Sequence, residues 1–240
     1  MITKKAVLFD LDNTLYDYKP VHKKALSEVY KILKKEVKIS WNEFIRLFEI
    51  SRAEINRELS GTASSHDRVL YFQRLVEKSH NTIESDVVLK LYNAYWDTFL
   101  KNIKLREGVM QTLKKLKKIG IKTAIVSDLT THIQLRKMSK LGITPYIDVL
   151  VTSEEAGSEK PHPIMFLLAL NKLNILPSDA IIVGDNPVND IEGGNSVGLE
   201  TILITNKKST EFKFSQNYEK PNYSIKEISE VLEILRIKEH

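Results

Sequence analysis

The chain contains no cysteine in 240 residues. A disulfide-built secreted scaffold is therefore excluded, as are thiol nucleophiles and zinc sites with cysteine ligands. No apolar run approaches the roughly 20 residues needed to span a bilayer as a helix. The N-terminal Met1-Ile2-Thr3-Lys4-Lys5 leads into only a short apolar run, too short for a signal peptide. These absences predict a cytoplasmic protein with no membrane partner. There is no internal repeat and no low-complexity tract. Charge is not lopsided either: 36 Lys and Arg against 31 Asp and Glu leave a net +5. The basic pairs Lys34-Lys35, Lys114-Lys115, Lys117-Lys118 and Lys207-Lys208 are scattered beside apolar residues, as on solvated faces. That pattern speaks against a nucleic-acid partner. A modest positive field does favour capture of small anions.

What is present is a chain of ordinary globular composition, 42% apolar and 28% charged, long enough to bury a core without a metal or disulfide staple. Five apolar runs read as buried strands: Ala6–Phe9, Ile121–Val126, Ile147–Val151, Ala180–Val183 and Thr201–Ile204. They are rich in Val and Ile and lack polar alternation, which suits a parallel sheet covered on both faces. Helical patterns separate the later four. One carries Val109, Leu113, Leu116 and Ile119 and stops at Gly120, a second runs Ile133–Leu141 to Gly142, and a third spans Pro163–Leu173. The alternation predicts a doubly wound α/β domain with a parallel sheet. The segment Lys207–Asn222 reads as a polar surface loop. Ile225, Ile228, Val231, Leu232 and Leu235 read as a docked C-terminal helix.

Between the first two strands lie about ninety residues without a convincing strand, far more than an ordinary βα connection. Four apolar stripes at helical spacing fill them: Val21, Ala25, Val29 and Ile32; Phe44, Leu47 and Phe48 continuing to Ile55 and Leu59; Val69, Phe72 and Val76; and Val87, Leu91, Ala94 and Thr98. This predicts an inserted helical bundle, residues 16–105, over the strand ends of a core made of residues 1–15 and 106–240. Its most polar loop is Ser60–His66, and Ser65, His66 and Arg68 are candidates to reach a substrate from this insertion.

Polar residues gather where strands end. The first strand runs into Asp10-Leu11-Asp12-Asn13-Thr14, the second into Ser127-Asp128, and the fourth into Gly184-Asp185, with Asp190 shortly after. Lys160-Pro161 lies between the third and fourth. Ligands of open α/β sheets collect at the carboxyl ends of strands where the strand order reverses. If strands one, two and three wind one way, strand four must return beside strand one. Asp10, Asp12, Asp185 and Asp190 then line one crevice. Carboxylates so crowded call for a hard cation, and Mg2+ suits oxygen ligands and a phosphate. Lys160 and the Ser127 hydroxyl supply positive charge and a donor for phosphoryl oxygens.

These motifs, in this order, resemble the haloacid dehalogenase (HAD) superfamily. They are Asp10-x-Asp12-x-Thr14-Leu15, an apolar strand ending in Ser127, Lys160-Pro161, and Gly184-Asp185 with Asp190-Ile191-x-Gly193-Gly194. The resemblance implies a Rossmann-like HAD core. The helical insertion resembles the C1 cap of type I members. It further implies Asp10 as the nucleophile that forms an aspartyl-phosphate, and Asp12 as general acid and then general base. Magnesium would be held by the Asp10 carboxylate, the Asp12 backbone carbonyl and Asp185, with Asp190 supporting the metal shell or Lys160. Ser127, Asp128 and Lys160 would bind the substrate's phosphoryl group, and Thr14 would be a supporting residue of the site.

Several residues also have blander readings. Ser127 would serve as a helix cap, Asn13 and Asp128 as turn residues, His132 and His162 as surface or packing residues, and Gly193-Gly194 as a close-packing pair. The reading that emerges is a magnesium-dependent phosphatase acting on a small phosphorylated metabolite, as a monomer or homodimer. Nucleotidase-like and sugar-phosphatase-like substrates both stay open. The alternatives are a phosphomutase of the same superfamily, a non-catalytic binding protein on the same fold, and a 2-haloacid dehalogenase. The last is disfavoured because the family's dehalogenases lack an acid at the position of Asp12.

Overall fold

A computed structural model describes residues 4–205 and 217–235. The chain divides into two compact units. One runs to Asp17 and resumes at Lys104, and the other is Tyr18–Ile103. The expected boundaries at residues 15/16 and 105/106 differ from these by two residues at each crossing. An isolated bridge between Tyr16 and Leu105 and a backbone bond from Arg106 N–H to the Leu15 carbonyl keep both crossing segments with the first unit.

The first unit is built on a parallel sheet of six strands, β1 (Ala6–Phe9), β2 (Lys122–Ser127), β3 (Val149–Thr152), β4 (Ala180–Gly184), β5 (Glu200–Ile204) and β6 (Tyr223–Ile225). Their order is β3-β2-β1-β4-β5-β6. The order reverses between β1 and β4, as the crevice argument requires. Phe9 pairs with Ile125 on one side and Val183 on the other, so the loops after β1, β2 and β4 leave the sheet at one level. All four β1 residues are buried, which explains the unbroken apolar run. On one face, Leu8, Val126 and Ile182 pack with Met165, Phe166, Ala169 and Leu173.

The α-helices among the described residues, in order, are α1 (Tyr18–Glu36), α2 (Trp41–Glu58), α3 (Arg68–His80), α4 (Ser85–Asn102), α5 (Val109–Lys118), α6 (Thr131–Leu141), α7 (Ser153–Ala156), α8 (Ile164–Leu173), α9 (Gly193–Ser196) and α10 (Glu230–Ile234). Helix α6 ends on Gly142, whose φ of +69° is the left-handed conformation that glycine adopts without strain. Gly193 and Gly194 are the close-packing pair. A side chain on the first would meet the Phe166 ring, and on the second Ile182 and Thr201.

Two expectations change. The third apolar run begins at Ile147, but strand pairing begins at Val149, because the Asp148 carboxylate takes the Thr123 N–H at 2.8 Å. At the C-terminal end, Ile225 belongs to a sixth strand and the helix is only Glu230–Ile234. Its spacing to Ile228 matches a helix, but reciprocal bonds between Thr201 and Asn222 hold the segment along the edge of β5. Most of the expected Lys207–Asn222 loop lies outside the described residues.

The second unit is α1–α4. Aromatic rings fill it: Phe44, Phe48, Phe72, Tyr95, Trp96 and Phe99 are buried and in mutual contact. The first stripe faces inward through Leu33 rather than Ile32. Arg68 is buried here, donating to Tyr18 Oη at 2.6 Å and lying against the rings of Tyr71 and Trp96. Ser65 is buried and its carbonyl accepts the Tyr71 hydroxyl. His22 is held neutral, pushed down to about 3 by burial first and then by the Arg68 charge. Among the described residues, no helix is long and apolar enough to cross a membrane.

Candidate active site

Asp10 follows directly from the buried β1, its N–H bonded to the Val183 carbonyl at 2.9 Å. The strand pairing thus fixes where its carboxylate stands. Oδ2 accepts the Thr14 hydroxyl at 2.8 Å, and Oδ1 accepts the Lys160 ammonium at 2.7 Å. The loop can return Thr14 to Asp10 because Asn13 adopts a φ of +66°, a conformation asparagine tolerates better than most residues.

Lys160 is nearly fully buried and bridges two acids. Its Nζ lies 2.7 Å from Asp10 Oδ1 and 2.7 Å from Asp190 Oδ1. Its backbone N–H donates to Asp128 Oδ1 at 2.9 Å, so the Asp128 side chain ties the loop after β2 to the lysine. The other Asp190 oxygen accepts the Asn186 N–H at 3.0 Å. Asp190 lies in a π-helical turn, Pro187–Glu192, that folds it back against β4. Gly184 allows this, since a Cβ there would overlap the Asp190 carboxyl.

Asp12 is partnered differently. Both its oxygens accept from Lys137 Nζ, at 2.7 and 2.8 Å, and Oδ1 also accepts the Tyr16 hydroxyl. Ser127 ends β2, fully buried, with Gln134 Nε2 at 2.8 Å from its Oγ. Leu129, two residues on, has a φ of +103°, strained for a branched side chain, and Ser153 Oγ holds its N–H at 2.9 Å.

Electrostatically the site is short of positive charge. Asp10, Asp185 and Asp190 place carboxylate oxygens within 4.8 Å of one another. Burial raises the Asp10 carboxyl well above the usual range, Lys160 opposes this, and Asp190 and Asp185 add to it. Asp185 is pushed up to about 7, by burial first and by the Asp190 charge next. Burial works against the Lys160 charge too, but Asp10, Asp190 and Asp128 outweigh it and hold the ammonium firmly protonated. An all-oxygen cluster of three acids around one lysine has the kind of donors that could hold a hard divalent ion.

Comparison with known proteins agrees with this geometry. The profile of the haloacid dehalogenase-like hydrolase family matches residues 7–204. The chain belongs to the haloacid dehalogenase-like hydrolases. It is 40% identical over 203 residues to a ribulose-1,5-bisphosphate 5-phosphatase of Halopiger xanaduensis, covering 83% of this chain and 84% of that protein. It is 30% identical over 235 residues to a glyceraldehyde 3-phosphate phosphatase of Methanopyrus kandleri, covering 97% of each. Among solved structures, a HAD phosphatase from Thermococcus onnurineus superposes with a TM-score of 0.74 at 26% identity, over 96% of this chain and 97% of that one.

The structure therefore brings Asp10, Thr14, Lys160 and Asp190 into one bonded group within this haloacid dehalogenase-like core, with Asp185 beside them and Asp128 attached through Lys160. Asp12 is bonded to a different cation, Lys137. Ser127 contacts Gln134 rather than capping a helix, and α6 begins after Thr130. His132 and His162 are exposed, as the blander reading had it. Sequence reasoning missed Lys137 and Gln134. The signal was there: both interrupt the buried face of α6 that Ile133, Met138 and Leu141 share.

Proposed function

We propose that this hydrolase is a magnesium-dependent phosphatase that cleaves a small phosphate monoester through an aspartyl-phosphate on Asp10. The observation that carries this reading is the Asp10 carboxylate, buried at the switch point of the sheet and held by Lys160 and Thr14. A carboxylate is a weak nucleophile, and fixed geometry with nearby positive charge is what makes it effective toward a phosphoryl group. In this reading an Asp10 oxygen bonds to phosphorus as the bond to the leaving oxygen breaks. Asp12 hands its proton to that oxygen. Asp12 then takes a proton from the water that attacks phosphorus, and the Asp10–phosphorus bond breaks to release phosphate. Lys160 and the Ser127 hydroxyl bind phosphoryl oxygens.

The donor set fits magnesium. In this reading the Asp10 carboxylate, the Asp12 carbonyl and Asp185 would hold the ion, with Asp190 bracing Lys160 and the Asn186 N–H. When bound, the ion neutralises charge on the phosphoryl oxygens and the nucleophile. Chelation is expected to abolish turnover and magnesium to restore it, with calcium a poor substitute. The pH dependence has a definite sign. Below about 7 the Asp185 carboxyl holds a proton that a cation must displace. Magnesium affinity should therefore weaken as pH falls through that value, with proton release on binding. Calorimetry in buffers of different ionisation enthalpy measures both. Affinity that strengthens at lower pH would contradict the assignment.

The two relatives named above act on phosphorylated sugars, and we take a sugar phosphate as the substrate class. The helical unit, 18–103, is the selectivity-bearing C1 cap in this reading. The test is phosphate release over a panel including ribulose 1,5-bisphosphate, glyceraldehyde 3-phosphate, nucleoside monophosphates and pyrophosphate, with magnesium present. Turnover of a sugar phosphate well above the rest supports the class. Release from pyrophosphate alone contradicts it.

A further inference from the structure

Helix α6 buries two polar side chains one turn apart. Gln134 and Lys137 are both 0% exposed, on a face otherwise made of Ile133, Met138 and Leu141. Burying an amide and an ammonium where apolar side chains would fit is costly unless partners require them. Their partners are two different strand-end loops of the candidate site.

Gln134 Nε2 lies 2.7 Å from the Asp128 carbonyl oxygen and 2.8 Å from Ser127 Oγ. A carbonyl only accepts, so it settles that the NH2 end of the amide faces this loop. Ser127 Oγ is then the acceptor in its bond with Gln134, and that bond leaves the hydroxyl proton to point elsewhere. Its contact with the Asp128 carbonyl, at 3.5 Å, is at the outer limit of a hydrogen bond. The amide oxygen of Gln134 is buried without a hydrogen-bond partner among the described residues. A methionine or leucine would fill the space without that penalty, so the donor end is what the position needs. One turn on, Lys137 Nζ holds both oxygens of Asp12 and stands 5.8 Å from the centre of the Tyr16 ring.

We propose that Gln134 and Lys137 are positioning residues carried by one helix. Gln134 fixes the Ser127 hydroxyl as a hydrogen-bond donor toward an anionic oxygen of the substrate, and Lys137 fixes the orientation of the Asp12 carboxylate. The proposal deepens the phosphatase reading and rests on it.

Two double-mutant cycles test it, with folding verified by circular dichroism. The first measures affinity for inorganic phosphate, with magnesium, in wild type, Ser127→Ala, Gln134→Glu and the double variant. Gln134→Glu puts an acceptor where the donor stood, so the hydroxyl turns toward it. Each single change should weaken phosphate roughly 10- to 100-fold, the range of a hydrogen bond to a charged group. The double variant should be no weaker than Ser127→Ala alone. Gln134→Met, close in volume, replaces Gln134→Glu in the cycle if the latter does not fold. The second cycle uses kcat for an alkyl phosphate in wild type, Lys137→Met, Asp12→Asn and the double variant. Lys137→Met should lower kcat with phosphate affinity retained, Lys137→Arg should restore part of it, and neither should cost anything further once Asp12 is Asn. Full additivity in either cycle, or wild-type behaviour of Gln134→Glu, overturns the corresponding half. A wild type that binds phosphate but hydrolyses no ester removes the phosphatase reading and the Lys137 half with it, while the phosphate cycle still decides Gln134. A wild type that binds no phosphate overturns both halves.

Discussion

Asp10→Asn is expected to lower turnover by at least roughly 10⁴-fold, because it removes the attacking carboxylate outright. The substitution is nearly isosteric, so the fold should persist. It also takes one acid from the site. Lys160 then balances Asp190 without Asp10, and the cluster of Asp10, Asp185 and Asp190 loses one of its crowded carboxylates. Magnesium binding should weaken at the same time, since one charged ligand is gone. Steady-state assays with the verified protein measure the first effect and calorimetry the second. Turnover near the wild-type rate would show that another group attacks phosphorus.

Asp12→Asn is expected to cost roughly 10²–10⁴-fold with an alkyl phosphate, the usual contribution of a general acid–base group. It leaves the Asp10 carboxylate and the backbone carbonyl of residue 12 in place, so magnesium affinity should change little. The loss in the first step should shrink with a nitrophenyl ester, whose leaving group hardly needs a proton. Hydrolysis of the phosphoryl-enzyme would still lack its base. An equal loss in phosphoryl-enzyme formation from both esters would deny Asp12 the role of acid. The contrast with Asp10 lies in their partners. Asp10 shares its buried lysine with a second acid, whereas Asp12 has a lysine holding both its oxygens.

Much of this was legible in the residues. The strands announced themselves because a parallel sheet covered on both faces needs unbroken apolar runs, and β1 and β4 are buried throughout. The meeting of the acids in one crevice followed from the strand order that the winding implied, with β4 returning beside β1. The short edge strand β6 was not legible. Tyr223 and Ser224 are exposed, and what aligns them with β5 is a side-chain exchange between Asn222 and Thr201, far apart in sequence. The site divides the same way. Residues that leave a strand end directly, Asp10, Ser127 and Asp185, stand out against the apolar run before them. Gln134 and Lys137 sit inside a helix whose amphipathic pattern made them look like ordinary polar positions. Their place on the apolar face of Ile133, Met138 and Leu141 was readable, but only the three-dimensional neighbourhood shows which loops they meet there.

The covalent role of Asp10 is the central claim, and one trapping experiment addresses it most directly. Asp12→Asn protein is mixed with 4-nitrophenyl phosphate and magnesium, quenched in acid within the first turnover, digested and weighed by mass spectrometry. The expected result is a phosphoryl group on Asp10 alone, persisting because the base for its hydrolysis is missing. A phosphoryl group on any other residue, or a nitrophenol burst with no protein-bound phosphate, would contradict the mechanism.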